Sequence, residues 1–215
     1  MLSSGNIFHW VASHVRARLV PYALVVTMLV VGFVIGGTAT SSLDTDTRRQ
    51  IQEVLQQFFV TAPGTIVPSG ELVARQALGG ELVRSGLFMW VLGLTVIGAP
   101  LVLVISLWRG FALGFTTTFI IEELGWRGGV LSAAALVPHN LFAIPGLMMA
   151  GAAGLMFAGG AARILLGRPT TQTVYGHFAS SVGLALTAAV FLTIGVLVEA
   201  YITPVFVNLA VTYIL

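Results

Sequence analysis

Apolar residues in this chain come in long continuous runs, interrupted at a few charged or proline-bearing points and nowhere alternating regularly with polar ones. Runs of about 20 apolar residues mark membrane-crossing helices, whereas alternation marks membrane barrels, so the pattern predicts an all-α polytopic bundle. Five spans are predicted, Leu19 to Thr38, Gly86 to Leu107, Gly129 to Ile144, Pro145 to Ala162 and Gly183 to Thr203. Pro145 is read as part of a tight turn between the third and fourth. The run Gly110 to Ile121 is too short to cross, about 18 Å of helix against about 30 Å of hydrocarbon. It is predicted to be a short re-entrant or interfacial helix.

The polar stretch Thr38 to Arg84 breaks the hydrophobic pattern, and within it residues 39–84 are predicted to form a small helical extracytoplasmic insertion in a single membrane domain of residues 1–215. Ile51, Val54, Leu55, Phe58 and Phe59 recur at helical spacing and make one apolar stripe. Asp44 or Asp46 can cap the start of that helix, and Pro63 and Gly64 can end it. A second short helix is expected after Ser69, with Glu71 and Arg75 spaced to pair, stopping at Gly79 and Gly80. The stripe either lies on the bilayer or the protein's own spans, or serves as a docking face for an extracytoplasmic partner.

Charge then orients the bundle. Arg16 and Arg18 put the N-terminus of this multi-pass membrane protein in the cytoplasm, and the C-terminus outside. With Gly110 to Ile121 not crossing, Arg109, Arg127, Arg163 and Arg168 all fall on the cytoplasmic side. His14, Arg16 and Arg18 ahead of Leu19 to Gly36 also fit a cleaved leader. An uncleaved signal anchor is the expectation, because the rest of the chain is itself membrane-embedded.

Composition agrees with this reading. Hydrophobic residues make up 57% of the 215 and charged residues 8%, against about a quarter charged in soluble domains. The chain has no cysteine, and all ten basic residues are arginines. Scattered singly between apolar helices, they form no patch for nucleic acid. The bilayer is the partner that composition implies; the oligomeric state is open.

Catalytic constellations are missing. There is no HExxH, GxSxG, CxxC or P-loop, and His9, His14, His139 and His177 lack metal-ligand spacing, so no enzyme, metal or cofactor is expected. Ser180 and Ser181 near His177 make no triad without an oxyanion hole. The polar residues within the apolar runs read mainly as topology and packing determinants. Glu123 and Arg127 are spaced as an i,i+4 helix-end pair beside Glu122, the alternative being an intramembrane ion pair. Arg109 is expected to snorkel at the membrane boundary or to meet a lipid phosphate, with Trp108 and Trp126 as interfacial anchors. Pro138 frees a backbone carbonyl that His139 or Asn140 can satisfy, as structural glue or as a proton or substrate site on a broken helix. Glu199, with Pro204 nearby, is either a buried proton carrier or a carboxylate solvated at the outer interface.

The order of small motifs from Leu92 to Gly151 resembles the stage II sporulation protein M family. It consists of Gly93, Gly98 and Pro100, then Arg109 and Gly110 with Gly114, then Gly125 and Trp126, then Pro138 and Asn140, and finally Ile144 and Pro145. His139 stands where that family usually has an amide. The resemblance implies a non-enzymatic membrane scaffold of endospore-forming bacteria. Such a scaffold recruits the peptidoglycan hydrolases known as stage II sporulation proteins D and P to the septal, later engulfing, membrane for wall thinning and engulfment. It also gives the apolar stripe of the insertion a use in docking those partners. A transporter or ABC-type permease subunit is the competing reading. A continuous polar cavity around His139, Asn140 and Glu199 would favour it, and a dry glycine- and alanine-packed bundle would count against it.

Overall fold

The computed structural model describes residues 19–61, 86–95, 97–167 and 173–214, of which 54–61 and 213–214 in backbone only. Helix α1 (Leu19–Ala39) ends in a 3-10 turn (Thr40–Ser42) and is followed by α2 (Thr45–Thr61). A short α3 (Phe88–Gly93) precedes three long elements: α4 (Ala99–Leu124), α5 (Trp126–Leu165) and α6 (Val174–Leu197). The last continues through a π-helical segment, Val198–Ile202, into α7 (Thr203–Ile214). Among the described residues, four stretches are long and apolar enough to cross a membrane, Leu19–Ser42, Ala99–Leu124, Trp126–Leu165 and Val174–Thr212.

The span boundaries differ from those expected of the hydrophobic runs, for identifiable reasons. Gly110 to Ile121 is no separate re-entrant or interfacial helix, because it lies inside the unbroken 26-residue α4. Arg109 does not interrupt that helix, since arginine is a good helix former and its cost in lipid does not act on the backbone ladder. At 1.5 Å per residue α4 measures about 39 Å, enough to cross. The predicted third and fourth spans are likewise one 40-residue helix with Pro138 and Pro145 inside it, and Pro145 forms no turn. Membrane helices tolerate internal proline where neighbours re-satisfy the freed backbone groups.

The predicted second span, in contrast, is broken. After α3 the Leu92 carbonyl accepts the Thr95 N–H, and the Gly98 N–H donates to Thr95 Oγ1 at 2.9 Å. Pro100 then sits in the first turn of α4, where its missing N–H costs no helical bond. A side chain at Gly98 would lie 1.9 Å from the Leu92 carbonyl oxygen, so the turn closes only around glycine.

Helices α1 and α4 run parallel, pressed together by two facing small-residue motifs. Any Cβ at Gly32 or Gly36 would come within 2.1 Å of the Leu107 or Phe111 carbonyl oxygen, and one at Gly110 or Gly114 within 2.0 Å of those of Leu29 and Phe33. Without a hydrophobic drive between helices in lipid, such backbone approach is what supplies contact. Gly125, at φ 61° and ψ −139°, then reverses the chain in a single residue, and α5 returns antiparallel to α4. From Gly160 against His177 to His139 against Gly195, α5 and α6 also pair antiparallel. Helix α5 is the centre of the bundle, packing on α1, α3, α4, α6 and α7. The core gathers Val25, Leu29, Met89, Val102, Leu147, Ala150 and Ala188, and large apolar residues such as Val20, Val104, Leu141 and Leu186 cover the outside.

Candidate functional site: a polar clamp and an intramembrane pair

The Ser42 end of α1 and the Leu124 end of α4 meet at one end of the bundle, and the polar residues there are joined. Glu122 and Glu123, two adjacent carboxylates at a helix C-terminus, are unfavourable both to each other and to the helix dipole. Arg48 of α2 bridges them, with Nε 2.7 Å from Glu123 Oε1 and Nη2 3.0 Å from Glu122 Oε2. One turn further along α2, Gln52 donates to the second Glu123 oxygen. The Thr40 hydroxyl, fully buried, lies 2.8 Å from Glu122 Oε1. The guanidinium also stands 5.8 Å over the buried Phe119 ring. Its hydrogen bond with Glu123 raises the Arg48 pKa above its ordinary value. The start of α2 is thereby fastened to the bundle through residues far apart in sequence.

This replaces the expected Glu123–Arg127 pair. An i,i+4 relation requires a continuous helix, and Gly125 turns the chain between the two residues, leaving Arg127 exposed at the start of α5. Nor do Glu122, Glu123 and Arg127 share a side with Arg163. They lie with α2 at one end of the bundle, whereas Arg163 ends α5 at the other.

The second polar group is inside the bundle. His139, buried, has Nδ1 3.1 Å from the Gly195 carbonyl oxygen and 3.4 Å from Glu199 Oε2. A carbonyl only accepts, so Nδ1 carries the proton and donates. Glu199 is in the π-helical segment, where the Thr203 N–H reaches back to the Val198 carbonyl. Pro204 accounts for that widening, since it has no N–H to give Ala200 and the regular ladder cannot continue through it. Glu199 is thus not near the end of its span, as its place before Pro204 suggested, because the helix runs on to Ile214. Asn140 donates to the Leu136 carbonyl at 2.8 Å, and its buried Oδ1 has no hydrogen-bond partner. Asn140 therefore does bind a carbonyl beside Pro138, but not that of Ala134, which the proline leaves without its donor.

The remaining sequence candidates fall elsewhere. Arg109 lies half-buried in the middle of α4 rather than at a boundary between helices. Trp108 is exposed on the same stretch and stacks on Phe111, continuing through Phe115 to Phe119. Trp126 is exposed at the α4–α5 turn. Gly98 and Pro100 shape the α3–α4 turn, and Gly110 packs against α1. Ser181, far from acting with His177, accepts from Trp90 Nε1 at 2.8 Å and donates to the Ala153 carbonyl at 3.0 Å. Ile51 belongs to α2, whereas the side chains of Val54, Leu55, Phe58 and Phe59 lie outside the described residues, as does the expected helix after Ser69. Sequence reasoning missed the Arg48 clamp, which joins residues without any spacing signal. It also missed the paired motifs Gly32-xxx-Gly36 and Gly110-xxx-Gly114, which were legible as written.

A family model described as Stage II sporulation protein M matches residues 24–204, from within α1 to the start of α7. The chain belongs to that family. No curated protein and no solved structure matches it. Membership in the stage II sporulation protein M family, together with the four long apolar helices, makes this a sporulation-related membrane protein. The match takes in the parallel α1–α4 pair, the clamp and the His139–Glu199 pair alike.

Proposed function

We propose that this protein is a non-enzymatic scaffold that holds peptidoglycan hydrolases at the septal membrane during sporulation, with its N-terminus in the cytoplasm and α2 outside. The observation that carries the reading is the clamp. Arg48 and Gln52 tie α2 to Glu122 and Glu123 at the end of the bundle opposite Leu19, so a helix presented to the cell-wall side has a fixed base. The apolar positions Ile51, Val54, Leu55, Phe58 and Phe59 follow on that helix and are the proposed contact for stage II sporulation proteins D and P.

Packing favours this reading over a permease. The bundle closes on glycine and alanine contacts, and a cavity of about 160 Å³ between α3, α5 and α6 has an apolar lining that includes Leu87, Ala150, Val182 and Leu192. Replacing both Phe58 and Phe59 by serine should abolish co-purification with the hydrolases while membrane insertion persists; undiminished co-purification refutes the docking face. Deletion of the gene should block engulfment, seen by imaging septal membranes in sporulating cells, and normal engulfment refutes the scaffold.

A further inference from the structure

Glu199 sits where a carboxylate is costly. Along α5, Gly128 packs at the level of Ile120 and Gly151 at that of Val102, so His139 between them lies near the level of Phe111. Phe111 packs against Gly32 and Gly36, roughly halfway along the first span. The pair therefore lies near mid-depth, about 20 Å along α5 from Trp126 and about 22 Å from the Ile214 end of α7 at 1.5 Å per residue. There the Glu199 side chain is 44% exposed beside a His139 side chain that is 10% exposed.

The charge count of this arrangement is incomplete. Because Nδ1 donates to Gly195, the neutral imidazole with an ionised Glu199 leaves one negative charge facing hydrocarbon. Charges at this depth are expensive unless paired or neutralised. Uptake of one proton, on the carboxyl or on His139 Nε2, makes the pair neutral; a second proton would charge it again. Among the described residues, the other charged groups on the packed elements lie away from the pair. Helix α5 carries Arg127 and Arg163 at its two ends, α6 carries His177 near its start, and α7 has no charged residue. Arg109 is at the same level on α4, whose packing partners are α1, α3 and α5. The π-helical segment is the second observation, because such segments reposition single side chains and recur at functional sites.

We infer that His139 and Glu199 form a proton-binding site at mid-depth of the membrane, holding one exchangeable proton between them. This stands independently of hydrolase recruitment. The test is to reconstitute the full chain in phosphatidylethanolamine–phosphatidylglycerol vesicles, treat it with dicyclohexylcarbodiimide, which enters bilayers and couples to protonated carboxyls, and map the adduct by peptide mass spectrometry. The expected result is an adduct on Glu199 that declines as pH is raised and is lost in Glu199→Gln. His139→Ala removes the partner that shares the proton with Glu199, so the adduct yield should differ severalfold from the parent at the same pH. His139→Asn, which keeps a donor near the Nδ1 position, should label close to the parent and guards against a folding defect. Absence of the Glu199 adduct at every pH, or a pH profile identical in parent and His139→Ala, overturns the site.

Discussion

At the residue scale, single groups decide the polar contacts. Arg48 satisfies two carboxylates that would otherwise repel each other at the end of α4. Arg48→Ala should therefore loosen α2, raising its amide hydrogen exchange. Glu123→Gln should do the same, and the double variant should show less than the sum of the two effects, because both changes remove the shared Arg48–Glu123 contact. Additive effects would separate the two residues. Ser181 makes a comparable bridge between Trp90 and the Ala153 carbonyl. Its replacement by alanine leaves an indole N–H without its partner, at a cost of about 1–3 kcal/mol, measurable as a lower thermal midpoint with altered tryptophan emission. Neither contact was legible in the sequence. Ser181 was noticed there only as a neighbour of His177, since side-chain partners on other helices leave no mark in local spacing.

At the scale of elements, the α1–α4 pair rests on close backbone approach. Gly110→Leu forces a side chain into the Leu29 backbone and should destabilise the fold by about 1–3 kcal/mol or more. Gly129→Leu, where an added carbon meets nothing within 4 Å, should be nearly neutral. Equal effects in detergent unfolding would show that the helices do not pack through these glycines. The α4–α5 turn makes a second demand. Gly125 has a backbone conformation almost reserved for glycine, so Gly125→Ala should cost about 1–3 kcal/mol in the same measurement. In the sequence Gly125 stood out only as part of the family resemblance. The continuity of α4 through Arg109 and of α5 through Pro138 and Pro145 was not legible there, because charge and proline interrupt a hydropathy pattern without necessarily breaking a helix.

At the scale of the molecule, the arrangement sorts residues between two ends. Since the chain has no cysteine, single cysteines at 44, 127 and 163 can report this with an impermeant maleimide on intact cells. Positions 44 and 127 should label together and position 163 only after permeabilisation; labelling of both 127 and 163 only after permeabilisation would restore the five-span arrangement. From its sequence alone the chain was determined to be a helical membrane bundle of the stage II sporulation protein M family, because long apolar runs and ordered glycine and proline motifs are local properties. Which helices join end to end, that α1 lies parallel to α4, and that Arg48 meets Glu122 and Glu123 while His139 meets Glu199, only the tertiary structure decided. Those outcomes depend on how closely backbones from distant parts of the chain can approach, and on which buried charges must find partners once they do.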